Sequence, residues 1–152
     1  MPEAAGGAPA VGCYVRSVER IYMLTFARCS TRRMSHGVAI DRSLHRGLVA
    51  HEVAHRLVTV HVRPATLGTI ASEYIAYVTM YAAMPAAHRE QVLKRIPGHG
   101  FGAEVEINAT MYMLDPVYFG AQAWRHYGKP GIGRPFLESV LKGQALGEDE
   151  PR

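Results

Sequence analysis

Cysteine is scarce in this chain, tryptophan occurs once, and no uninterrupted apolar run is long enough to span a bilayer. Cys13 and Cys29 are too few and too far apart for a CxxC metal or redox motif, and the sequence leaves open whether they pair. Pairing would imply an oxidising compartment. No positively charged start followed by an apolar segment is visible, so no signal peptide is expected. The location is therefore cytoplasmic by default, and cell envelope or secreted if the true N-terminus is missing. Nucleic-acid motifs are also lacking. The formal charge is +4, but the basic residues are scattered, and no nucleic-acid partner is expected. Their densest group, Arg28, Arg32, Arg33, Arg42 and Arg46, reads as a solvated surface, with an acidic substrate or anionic membrane face as the other options.

Against these absences stands one pentad, His51-Glu52-Val53-Ala54-His55, an HExxH pattern inside a stretch that reads as a single helix. Four helical residues advance about 400° around the axis and about 6 Å along it, so both imidazoles point the same way and can share one ion. Glu52 lies about 100° away from His51, a poor position for a ligand and a good one for a general base acting on a water at the ion. Asp41 is the expected N-cap and Pro64 the far limit. Leu44, Leu48, His51, His55 and Val62 recur as one stripe, which predicts that the histidines face the core.

A catalytic zinc takes three protein ligands and keeps a position for water, so the pentad requires a third partner. His61 has the spacing of the HExxHxxGxxH pattern, but Val58 stands where that pattern has its helix-breaking glycine. A β-branched residue lets the helix run on, which leaves His61 about 9 Å further along and about 120° around from His55. Glu73 is the better candidate. It is the only charged residue between Pro64 and Pro85, in a segment that reads as a helix apolar on nearly all sides. A buried carboxylate must be protonated, paired or metal-bound; the alternative to a metal is a salt bridge to an arginine.

The pentad followed by Ser72-Glu73-Tyr74-Ile75-Ala76-Tyr77, with seventeen residues between His55 and Glu73, resembles the gluzincins, zinc metallopeptidases with two histidines on one helix and a glutamate ligand on the next. The size is most similar to the minigluzincins and related small bacterial domains. The resemblance covers residues 37–85. It implies one zinc ion per chain held by His51, His55 and Glu73, Glu52 as the base, and a peptide or protein substrate. In thermolysin-like relatives the residue four after the glutamate ligand is often an acid that orients an imidazole; here it is Tyr77, which could instead donate to Glu73. The resemblance also implies a downstream His or Tyr that stabilises the oxyanion. His126 and Tyr127 are the candidates, with Tyr112 and Tyr118 as rivals.

The fold expected is α+β: a small N-terminal sheet followed by a mainly helical bundle carrying the metal helix, zincin-like by resemblance. Residues 1–12 read as a flexible leader, 13–146 as a single domain and 147–152 as a disordered tail. Strands are expected over 18–26 and 37–40, the segment 36–40 being the edge that the resemblance would pair with substrate. Helices are expected over 85–96, 103–114, 116–127 and 135–143, with a flexible glycine-rich loop at 97–102 whose His99 could reach a substrate. A non-catalytic zinc-binding interaction module is the alternative function. Oligomeric state is not legible.

Overall fold

The structure is a computed structural model and describes residues 11–30, 35, 38–62 and 67–147. It is α+β, with a two-stranded antiparallel sheet at the N-terminus and seven α-helices among the described residues. Strand β1 (Gly12–Val15) pairs with β2 (Arg20–Met23), with Gly12 opposite Met23 and Val15 opposite Arg20. The first residue of β1 is Gly12, the last one assigned to the leader, so that boundary falls too late in the chain. The strand expected over 18–26 is shorter than its apolar run. Glu19 turns the hairpin at φ 50°, and Thr25 opens a one-turn helix, α1 (Phe26–Cys29). Near 37–40 the only described pairing is an isolated bridge between Ser35 and Val38, and residues 36 and 37 lie outside the described residues.

Helix α2 (Arg42–His61) is the longest element, about 30 Å from end to end. Asp41 caps it as expected, its carboxylate accepting from the Leu44 N–H at 2.8 Å. The helix runs unbroken through Val58 and closes with the Val62 N–H on the Val58 carbonyl. Pro64 itself lies outside the described residues. Helix α3 (Thr69–Ala83) packs on α2 more extensively than any other pair of elements does, and α6 (Pro116–Tyr127) covers α3 from another side. Tyr74, Met80, Tyr81 and Phe119 are wholly buried at the centre of this stack. Close approach of α3 and α6 needs Gly120, where a Cβ would stand 2.2 Å from the Tyr77 ring.

The remaining elements are α4 (Ala86–Leu93), α5 (Ala109–Leu114) and α7 (Gly133–Leu141). The helix expected over 103–114 is divided. Asn108 accepts from the Met111 N–H and starts α5 afresh, leaving Glu104–Glu106 as a single 3-10 turn. Glycines 98 and 100 adopt positive φ in the loop that follows α4, but this loop is strapped rather than flexible. Gln122 bonds Gly100 N–H and Pro97 C=O, Arg125 gathers the carbonyls of Leu93, Ile96 and Pro97, and Lys129 those of Gly100 and Phe101. No helix of the described residues is long and apolar enough to cross a membrane. Cys13 and Cys29 are not joined by a disulfide, and the Cys29 thiol donates to the Leu24 carbonyl.

Candidate metal centre

Successive turns of α2 aim His51 and His55 at the face of α3 that carries Glu73, and the ligand atoms of the three residues all lie within 4.8 Å of one another. The two Nε2 atoms are 3.1 Å apart. One carboxylate oxygen of Glu73 is 3.4 Å from His51 Nε2 and the other 3.5 Å from His55 Nε2. A tetrahedral ion with bonds of about 2.0–2.1 Å separates its ligand atoms by about 3.3–3.4 Å; the imidazole–imidazole spacing and that from each oxygen to its nearer imidazole are close to this, and with one atom from each residue the three lie within 4.8 Å of one another. The three side chains are only 13–15% exposed, mostly withdrawn from water yet open on one side.

The donor chemistry fits a cation as well. Glu73 Oε2 is buried without a hydrogen-bond donor, a costly state for a carboxylate oxygen unless a positive charge faces it. Burial pushes the Glu73 carboxyl up, but His51, then His55 and Tyr112, pull it further the other way and hold it below the usual range. Burial, reinforced by His51 and opposed by Glu73, pushes the His55 imidazole down to about 4, so it is neutral with a lone pair to offer at neutral pH. Glu73 has no arginine partner among the described residues; the two histidines face it.

Around the three residues lie positioning contacts. His55 Nδ1 is 2.8 Å from Ser72 Oγ, and in the tautomer with Nδ1–H donating to that hydroxyl, Nε2 is free to face the cluster. Sequence reasoning passed over Ser72, although a polar residue beside Glu73 in so apolar a helix was a usable signal. His51 Nδ1 is buried without a partner, and its ring lies edge-on to Tyr77 at 4.6 Å between centroids. Tyr112, on α5, lies beside the Glu73 carboxylate and helps to lower its pKa. Burial and Glu73 together raise the Tyr112 hydroxyl above its usual range, which keeps it a proton donor.

Glu52 projects from the side of α2 that faces the hairpin. The Tyr14 backbone lies near its carboxylate, and a Cβ on Gly12 would stand 3.0 Å from its Cγ, so β1 lies directly against it. Burial is the main reason its pKa is raised, with His51 opposing, Glu73 adding and the Tyr14 amide opposing. A carboxylate so shifted is a better base than a solvated one.

The other candidates sit elsewhere. His126 is buried on α6, with Nδ1 2.8 Å from the Tyr74 hydroxyl and its ring among Tyr74, Phe101 and Phe136. Tyr127 stacks on Trp124 at 5.9 Å. Neither has a hydrogen bond, ion pair or ring contact with His51, Glu52, His55 or Glu73. Tyr118 lies on the first turn of α6, and His61 is the exposed last residue of α2, outside the cluster. His99 is exposed on the strapped loop.

A comparison with protein families decides the chain's kinship, matching residues 1–150. The chain belongs to DUF6639, a family of unknown function. No curated protein and no solved structure matches it. For this DUF6639 member the arrangement of side chains is therefore the basis for a functional reading.

Proposed function

We propose that this DUF6639 member is a zinc-dependent metallopeptidase with a zincin-like site, in which His51, His55 and Glu73 hold one zinc ion and Glu52 is the general base. The observation that carries the reading is the convergence of two Nε2 atoms and one carboxylate at 3.1–3.5 Å, with a buried Glu73 oxygen lacking any donor. The chemistry that zinc supplies at a site of this composition is activation of a water and polarisation of a carbonyl. His51, His55 and Glu73 occupy one side, leaving the other to water and substrate. Glu52 accepts the proton of the attacking water, holds it on a carboxylate whose burial favours the protonated form, and passes it to the leaving amine. Ser72 fixes the tautomer and direction of His55. Tyr112, beside Glu73, is the hydroxyl assigned to a developing oxyanion in preference to His126 or Tyr127, which lie outside the cluster.

Elemental analysis of protein purified without chelator or added metal tests the reading. About one zinc per chain in the native protein, lost in Glu73→Ala, supports it. Zinc retained by Glu73→Ala moves the third ligand elsewhere, and no zinc in the native protein overturns it. A peptide-library digest then separates the enzyme from a non-catalytic zinc-binding module: Glu52→Gln must keep the zinc and lose the cleavage.

A further inference from the structure

Charge is unevenly divided along the chain. Over residues 11–66 nine arginines stand against three carboxylates, whereas over residues 67–152 eight basic residues stand against nine acidic ones. The positive excess therefore belongs to the segment that supplies the hairpin, α1 and α2. Such an asymmetry points to a polyanionic partner for that side of the molecule.

On α2 the arginines share a face with exposed aliphatic side chains. Arg42, Arg46, Val53, Leu57 and Val60 fall within about 60° of one another around the helix axis, and all five are exposed. Val53, Leu57 and Val60 are 39%, 51% and 50% exposed, a large share for three aliphatic residues on one stripe. His51 and His55 lie about 160–200° around from the stripe, on the side packed against α3. The exposed hairpin turn adds Arg16, Val18 and Arg20, and the Glu19–Arg56 ion pair at 3.4 Å holds that turn beside α2. Arg16, Arg20 and Arg46 have no carboxylate partner among the described residues. Arg42 lies over the Phe26 ring at 4.7 Å, a contact that positions the guanidinium without neutralising it.

The phosphates of a lipid or of a nucleic acid would both satisfy these arginines. The aliphatic residues decide between them. A duplex offers nothing for Val53, Leu57 and Val60 to bury against, whereas the boundary between headgroups and acyl chains takes up such side chains while the arginines stay among the phosphates. We propose that this face docks on an anionic lipid bilayer, with α2 lying in the plane of the interface and the His51, His55 and Glu73 cluster turned away from it. Docking of this kind needs no membrane-spanning helix and no metal.

Flotation of the full chain with lipid vesicles tests it. Vesicles of equal parts phosphatidylglycerol and phosphatidylcholine should carry the protein at about 0.05 M salt and release most of it at about 0.5 M, and phosphatidylcholine alone should not bind it. Arg42→Gln with Arg46→Gln should weaken binding roughly 25-fold, about fivefold for each charge. Arg134→Gln with Lys142→Gln removes the same charge from exposed positions at α7 and should leave binding unchanged. Leu57→Gln, which alters no charge, should weaken binding about threefold or more. No uptake by anionic vesicles overturns the proposal, and equal losses from the two double variants overturn it too, because net charge and not this face would then govern binding. Vesicle binding indifferent to Leu57→Gln likewise overturns the lipid face, and equal uptake of a duplex oligonucleotide would then identify the partner as nucleic acid. Each of these outcomes leaves the metallopeptidase reading standing.

Discussion

Helix α3 carries adjacent polar residues, Glu73 and Tyr74, each facing a histidine largely withdrawn from water, and the two environments differ in what they leave unsatisfied. Glu73 meets His51 and His55, whose Nε2 atoms face each other at 3.1 Å, with a carboxylate oxygen that has no donor. About 100° around the helix, Tyr74 meets His126 in a closed pair at 2.8 Å, surrounded by aromatic rings. Partial or full withdrawal of a histidine from water is common to both. The distinguishing mark of a site is donors that converge without completing one another, whereas a structural histidine has its partner built in.

The sharpest way to break this comparison is Glu52→Gln. The amide keeps the size and cannot take a proton, so hydrolysis should fall by about 10²–10⁴-fold or more while zinc content stays unchanged; equal turnover by the two proteins would remove Glu52 from the mechanism. Next in size is the packing that holds α3 against α6. Gly120→Ala would place a methyl 2.2 Å from Tyr77, and Tyr77 lies against His51. We expect a loss of about 3 kcal/mol by urea denaturation, with weakened zinc binding because the displaced ring moves on His51. Tyr77→Leu in the same protein should recover much of the stability, a coupling that a double-mutant cycle reads directly. Additive losses would mean that the two residues do not press on one another.

Tyr74→Phe is the smaller, complementary change. It leaves His126 Nδ1 buried without its partner and should cost about 1–3 kcal/mol, with zinc content unaltered. Loss of zinc in this variant would show that the two faces of α3 are not independent.

The helical part of the site was legible because helical geometry is local. Residues four apart on α2, an Asp41 cap and a lone charge in an apolar α3 specify directions without knowledge of the rest of the chain, and α6 begins and ends where Asp115 and the apolar pattern place it. The hairpin was not legible in the same way. β1 is four residues long, begins at a glycine, and is defined by its pairing with β2 and by its contact with Glu52, both of which are non-local. His126 and Tyr127 were chosen for chemistry at the end of an amphipathic helix, and chemistry alone does not say which neighbour a side chain will face. Tyr112 emerged over them because Asn108 restarts the chain as α5 beside α3, a consequence of one cap inside what reads as a continuous helix. Ser72 and Gly120 act through a single contact each, which no periodicity announces.

The smallest expected effect concerns acid stability and follows from the burial of His126. Burial, and after it Lys129, lowers the His126 pKa, with Glu104 and Glu106 opposing, so the folded protein holds this imidazole neutral at pH values where the unfolded chain, at 6.5, has begun to bind a proton. Between those two values the unfolded state carries more protons, and stability therefore falls as pH drops below about 6.5 and levels off below the folded value. Above 6.5 both states are neutral at this position and the contribution is constant. His55 is also depressed, to about 4, and adds its own acid loss from 6.5 downward over the same window, so the His126 share is isolated by difference: urea unfolding of metal-free protein at pH 7.5 and 5.5, native beside the double variant Tyr74→Phe, His126→Leu. A shallower loss in the double variant is expected, because it has no imidazole to protonate on unfolding at that position. Equal slopes would mean that His126 titrates alike in both states.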